Sequence, residues 1–149
     1  MDPLGSVEKI VKLSLAIKAA VDTVRHNREE CHEIRTRVVR VSAVLSRLPE
    51  AAGVADDPAT GAALEDLEEA LRRAHAVVTA CQEESTACLL CAAGRQARQL
   101  RRVQDDISQK VMLVVLATNV HVTITLGQNL PRPQRLLTRH RLPTNEAWN

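Results

Sequence analysis

Apolar residues recur along the chain in steps of three and four, the spacing of one buried helix face. Residues 64–91 carry it most clearly, at Leu64, Leu67, Leu71, Ala74, Val78 and Cys81, then Cys88 and Cys91. Glu65, Asp66, Glu68 and Glu69 crowd the first turns of this stretch, where the helix dipole favours negative charge. Glu68 with Arg72 and Glu69 with Arg73 stand four apart, acid first, an order that supports a helix by about 0.2–0.5 kcal/mol per pair. Such a helix cannot bury its seam alone, so the rest of the chain must supply partners.

It does. Val7, Ile10, Ser14, Ile17, Val21 and Val24 repeat the alternation in a first helix over residues 7–26, with Ser6 as its expected N-cap. Leu13, Leu15, Ala16, Ala19 and Ala20 widen its apolar arc, and Lys9, Lys12, Lys18 and Arg25 share the remaining surface with Glu8 and Asp22. Asn27 and Arg28 mark a tight break. A second helix over 29–47 carries Cys31, Ile34, Val38, Val41, Leu45 and Leu48, which predicts antiparallel packing on the first. Arg35, Arg37, Arg40 and Arg47 lie off that seam and are expected to be solvated. Residues 48–61 concentrate Pro49, Gly53, Asp56, Asp57, Pro58 and Gly61, a loop composition, with Thr60 as the expected cap of the third helix.

Gly94 is the candidate break before a fourth helix over 95–126, where Ala97, Leu100, Val103, Ile107, Val111 and Val114 keep a helical period. Beyond Val111 formal charge disappears and Val120, Val122, Ile124 and Leu126 alternate as in a strand. Helix is still preferred, because the chain offers no strand to pair with. The uncharged run also raises a membrane span, which needs about 20 predominantly apolar residues. Residues 111–126 fall short and include Thr118, Asn119, His121, Thr123 and Thr125, so a buried central helix is expected. The pattern as a whole predicts an all-α fold, an antiparallel four-helix bundle over residues 6–126 with an extended Pro/Arg-rich basic tail over 127–149.

Composition narrows the picture. With 149 residues the chain holds one core. Phe and Tyr are absent and Trp148 is the single Trp, so that core is aliphatic. A net charge of +2 says little, but basic residues gather in the first helix, over 95–102 and from Arg132 onward. Asp2 and Glu8 interrupt any secretory signal, so the cysteines Cys31, Cys81, Cys88 and Cys91 are expected as reduced thiols inside a cell.

Chemistry is thin. Cys88 and Cys91 with Cys81 and His75 have the makings of a zinc site, but the three cysteines fall on the seam and no second close pair accompanies them. Buried thiols are the preferred reading. The histidines are scattered, Asp105 and Asp106 diverge on a helix, and no Gly-rich loop is present to cradle phosphate. No catalytic constellation, metal site or cofactor is expected. Arg95, Arg98 and Arg102 share one helix face with Arg101 beside them, which suits either anionic lipid headgroups or plain solvation. Nucleic acid is disfavoured by the near-neutral charge and the lack of stacking aromatics. The first helix likewise has two readings, a bundle helix or a membrane-active amphipathic helix with basic flanks.

Several strings together carry a resemblance: Asn27-x-x-x-Cys31, Leu64-Glu65-x-Leu67-x-x-Ala70-Leu71-Arg72-Arg73, Val78-x-x-Cys81 and Gln104-Asp105-Asp106-Ile107. Over residues 7–120 the chain resembles the N-terminal helical domain of plant MCA-type calcium-permeable mechanosensitive channel proteins and of a set of rice putative protein kinases. That domain is similar in turn to the bundles of plant mixed-lineage-kinase-domain-like proteins and HeLo-type cell-death domains. The resemblance implies a non-enzymatic cytoplasmic signalling domain in plant immunity or calcium signalling, peripheral at the plasma membrane, that self-associates and engages anionic lipid. For membrane contact the charge pattern offers Lys9, Lys12 and Lys18 on the first helix and Arg95, Arg98, Arg101 and Arg102 as a second basic patch, with Ile10, Leu13, Ile17 and Val21 as an apolar face of the first helix. The alternative the resemblance implies is an adaptor for an adjacent or partner protein kinase, without membrane activity.

Overall fold

The computed structural model describes residues 3–47, 56–82 and 89–129, and the side chains of 5–47, 56–82 and 94–128 among them. Four helices account for nearly all of it: α1 Pro3–Val21, α2 Arg28–Leu45, α3 Pro58–Ala80 and α4 Leu89–Asn129. Among the described residues there is no strand. The β-branched run after Val111 is helical throughout, because an isolated strand has nothing to satisfy its backbone groups.

The helix ends correct several expectations. Ser6 is not a cap: α1 already starts at Pro3, a residue suited to a first turn because its missing N–H needs no partner there. The first helix ends at Val21 rather than at residue 26, leaving 22–27 as the connection, and within it Asn27 adopts a left-handed conformation with φ 52, one that asparagine tolerates better than most residues. Its carbonyl accepts from the Cys31 N–H at 3.0 Å and opens α2. The α3 cap is Asp57 rather than Thr60. Asp57 Oδ2 accepts from both the Thr60 N–H and the Thr60 hydroxyl at 3.0 Å, with Pro58 in the first turn. Thr60 therefore sits three residues inside the motif. Gly94 does not break α4, which runs through it and continues past Gly127 to Asn129. The tail from residue 130 lies outside the described residues, as do 48–55 and 83–88.

Consecutive helices within each hairpin are antiparallel, as the seams predict. Arg73 on α3 pairs with Asp106 on α4 at 3.6 Å, and Gln96 Nε2 donates to the Ala80 carbonyl at 3.4 Å. The two hairpins then join side by side with α1 parallel to α3. The carbonyl of Cys81, at the end of α3, accepts from the N–H groups of Arg25 and His26 just after α1, at 3.1 and 3.3 Å. Gln82 adds bonds to the Ala20 carbonyl and the Thr23 hydroxyl at 3.0 and 2.6 Å. In the same way α2 runs parallel to α4. Gln104 donates to the Glu30 carbonyl at 3.1 Å, and Arg37 donates to the Gln104 carbonyl at 3.2 Å and the Ser108 hydroxyl at 2.6 Å. Arg37 is thus a half-buried strut between helices, not a solvated side chain. Since α1 packs on α2 and α3, and α4 on the same two, the order around the bundle is α1, α2, α4, α3. Helices α1 and α4 face each other across the diagonal.

The core is aliphatic. Ile10, Ile17, Ile34, Leu64, Leu67, Leu71, Leu100 and Ile107 are fully buried, with Val38, Val41, Val78, Cys31 and Cys81 around them. Glu68 is buried too, and its carboxylate is taken up by Arg72, whose guanidinium reaches solvent. The Cys31 thiol is held well above the usual thiol range by its hydrogen bond with Cys81 and by burial. Cys91 lies on α4 and Cys88 outside the described residues, and neither side chain is described.

One expectation about the core is reversed. Residues 111–126 were expected to be a buried central helix. Instead, of residues 111–128 only Val114 is buried. Met112, Leu113, Val115, Leu116, Val120, Ile124 and Leu126 are exposed, Met112 by 72% and Leu116 by 60%. Among the described residues only α2 and α3 pack on α4, and here its outward side, polar on the other helices, is apolar.

Candidate functional site

The expected apolar surface of α1 is part of the core. Ile10, Ile17 and Val21 are buried and Leu13 is half-buried, because α1 lies in the notch between α2 and α3. The face that remains outside carries Lys9, Lys12 and Lys18, all exposed. Lys12 pairs with Glu8 at 3.0 Å, which offsets part of its charge. Lys18 borders a shallow depression of about 320 Å³ between α1 and α2, together with His32, Arg35 and Arg40. Arg35 is already engaged by Asp22 at 3.7 Å.

Arg95, Arg98, Arg101 and Arg102 are all exposed on α4. Among the described residues none of the four has a carboxylate within ion-pair distance. Arg98 Nε instead reaches the Gly94 carbonyl one turn back, at 3.4 Å. Here the sequence spacing reads directly onto the surface, since i, i+3 and i+7 stay on one side of any regular helix. The lysines of α1 and the arginines of α4 do not form one surface. Their helices are diagonal, so the two basic sets point away from each other.

A further feature lies outside the buried seams. On the outward side of α4 the exposed apolar residues spread over roughly half of the helix circumference at ~3.6 residues per turn, interrupted by Asn119, Thr123 and Gly127. The sequence signal was there, in the loss of formal charge after Lys110, but a period of 3.6 marks an apolar face without saying whether anything covers it. Beside this surface, Val41, Val44, Leu45, Leu67, Val111 and Thr118 line a groove of about 190 Å³ between α2 and α4.

One cluster has the outline of acid–base chemistry. His121 Nδ1 lies 3.6 Å from Asp57 Oδ1, and His121 Nε2 lies 3.5 Å from Thr125 Oγ1. Both distances exceed ordinary hydrogen bonds. Thr125 donates its proton to the His121 carbonyl at 2.9 Å instead. Asp57 is committed to the α3 N-terminus, where the Thr60 N–H and hydroxyl hold its carboxyl below the usual range. The cluster ties α4 to the start of α3, and its geometry does not activate a nucleophile.

Comparison with known proteins adds the family. Residues 13–137 match the MCAfunc domain. The chain is 30% identical over 117 residues to "Cell number regulator 13" of Zea mays, a match covering 78% of this chain and 27% of that protein. It is 27% identical over 128 residues to "Protein MID1-COMPLEMENTING ACTIVITY 1" of Arabidopsis thaliana, covering 80% of this chain and 30% of that protein. The chain thus spans under a third of the length of either relative. No solved structure matches it significantly.

Proposed function

From membership of the MCAfunc domain family, to which this chain belongs, we propose that it is a non-enzymatic signalling bundle that engages anionic membrane through the arginine face of α4. The observation that carries this is the set Arg95, Arg98, Arg101 and Arg102, exposed on one helix side without carboxylate partners among the described residues. Guanidinium groups recognise phosphate in a bidentate geometry, and each basic residue near an anionic surface contributes about 1 kcal/mol. Four give about 4 kcal/mol, a dissociation constant near 1 mM. Contact through charge alone is therefore weak and reversible. The setting is calcium-related signalling in plants, on the resemblance to MCA-type channel proteins, with the domain on the cytoplasmic face and self-association following from crowding at the surface.

In this reading α1 stays in the bundle. Exposing Ile10 and Ile17 would cost about 1.5–3 kcal/mol for each side chain, too much for a weak headgroup contact to drive. A membrane-disrupting role for α1 requires a separate trigger.

Sedimentation with vesicles tests the proposal. Wild-type protein should pellet with phosphatidylserine-containing vesicles and not with pure phosphatidylcholine at low salt. Reversing Arg95, Arg98, Arg101 and Arg102 to Glu should abolish that difference, whereas reversing Lys9, Lys12 and Lys18 should leave it. Equally poor binding of wild type to both vesicle types would remove the membrane reading and leave the adaptor for a partner kinase.

A further inference from the structure

The arginine face and the bare apolar face are on the same side of α4. Arg95 and Leu113, Arg98 and Leu116, and Arg102 and Val120 are each separated by 18 positions, which is about five turns at ~3.6 residues per turn. Each arginine is therefore aligned with an exposed apolar side chain about 27 Å further along the same edge, at ~1.5 Å per residue. Asp105 and Gln109 are exposed between the two halves. The inward side of the same segment is settled, with Val114 buried and Val111 and Ala117 packed against the core. What lies outside is a strip that is cationic at one end, crossed by Asp105 and Gln109 at its middle, and uncharged at the other.

We propose that this outward strip of α4 docks side-on to an anionic bilayer, with Met112, Leu113, Leu116 and Val120 entering the boundary between headgroups and acyl chains while Arg95, Arg98 and Arg102 hold phosphates. The inference rests on the membrane reading above and assigns it a second, apolar component. The charge pattern selects this occupant. A second copy laid parallel along the strip would set arginine against arginine. Laid antiparallel, it would set arginine against Leu116 and Val120. A bilayer surface accepts both halves at once, because helices in the interface bury an apolar face while basic side chains stay among the headgroups. Two signals are also what stable anchoring needs, since one weak signal gives only marginal binding. Contrary to the expectation that the uncharged run falls short of a span, the helix over Gly94–Gln128 is long and apolar enough to cross a membrane by length and composition, but side-on docking needs only its outward face and leaves α4 packed on α2 and α3.

The test uses the full chain and vesicles of phosphatidylcholine with and without phosphatidylserine, at low and raised salt. Leu113→Glu/Leu116→Glu changes two exposed side chains, and circular dichroism with urea unfolding verifies that the bundle is intact. Wild-type binding to anionic vesicles should fall with salt but keep a resistant remainder, and the double variant should lose that remainder by at least about tenfold, since each Leu side chain taken from water is worth roughly that factor. Full release of wild type by salt, with the double variant binding like wild type at low salt, would overturn the apolar component while leaving arginine-dependent binding in place. Salt-resistant binding to both vesicle types that survives Arg98→Glu/Arg102→Glu but not Leu113→Glu/Leu116→Glu would support the apolar component and remove the anionic one. Concentration-dependent dimers without lipid, lost in the double leucine variant whose vesicle binding is unchanged, would overturn the proposal in favour of a second copy.

Discussion

Helix α3 and the second half of α4 are built from similar aliphatic side chains and end up in opposite environments. Along α3, Leu64, Leu67, Leu71, Ala74 and Val78 are all buried, because α1 and α4 close over its apolar face from two sides. Past Lys110, α4 is more apolar than α3 and carries no formal charge as far as Gln128, yet leaves Met112, Leu113, Leu116 and Val120 in solvent. Hydrophobicity sets which side chains gain from burial, while topology sets which of them obtain a partner. In α3 the polar side is dense with ion pairs, such as Arg73 with Glu69 at 3.6 Å. The matching side of α4 after Lys110 has none to make. A helix that spends no charge on its outward face is shaped for something other than water.

The widest test of this contrast is a pair of truncations. Leu71→Ala opens a cavity among fully packed neighbours and should cost about 2–5 kcal/mol in urea unfolding. Leu116→Ala removes a side chain that touches little and should fall within about 0.5 kcal/mol of wild type. Comparable losses at the two positions would mean that the outward face of α4 is covered in solution, and the contrast would collapse.

A smaller effect probes how α2 is fastened to α4 above the exposed half. Arg37 is half-buried and bonds to both the Gln104 carbonyl and the Ser108 hydroxyl. Hydrogen bonds to a charged group are worth about 1.5–3 kcal/mol when buried. Discounted for partial solvation, Arg37→Ala should cost about 1 kcal/mol. Arg35→Ala, which loses only the exposed contact to Asp22 at 3.7 Å, should stay within about 0.5 kcal/mol. Chemical denaturation of the two variants side by side would show whether the strut is real, and equal effects would count against it.

Much of the bundle was written in the spacing. The seam at Cys31–Leu45 and the one from Leu64 as far as Cys81 became core because period and burial follow from the same geometry, while α3 ends at Ala80, so that Cys91 falls on α4 and not on the continuation of that seam. The arginine face of α4 was legible for the same reason. Other features were not. A period marks the apolar face of residues 111–126 without saying whether anything covers it. Caps depend on backbone conformation, so Asp57 and Thr60 exchanged roles although both are good capping residues. The parallel pairing of α1 with α3 depends on how two hairpins meet, which no local pattern encodes. And no local pattern says on which sides of the bundle the two basic patches, of α1 and of α4, come to lie. Once α1 and α4 stand diagonally, Lys9 and Arg98 face different directions.

The smallest effect is at the joint between the two regions. Asp57 caps α3 at the level where His121, in the exposed half of α4, comes within 3.6 Å. The Thr60 N–H is the main cause of its lowered pKa, followed by the Thr60 hydroxyl, with the nearby His121 a lesser contribution. In the unfolded chain the carboxyl titrates near its ordinary value of about 3.9. Because the folded value lies lower, its contribution is complete above that pH and is lost as pH falls through the folded value. Asp57→Asn keeps an acceptor oxygen for Thr60 but removes the charge. Wild type should therefore be slightly more stable than Asp57→Asn at neutral pH, and the difference should shrink below about pH 4. Thermal unfolding of the two proteins across that range reads the difference directly. A gap that persists unchanged into strong acid would show that the carboxylate charge is not what holds the start of α3. The His121→Gln variant then separates the two sources: if the pH-dependent gap survives it, the backbone cap alone carries the effect, and α3 is closed independently of the exposed half of α4.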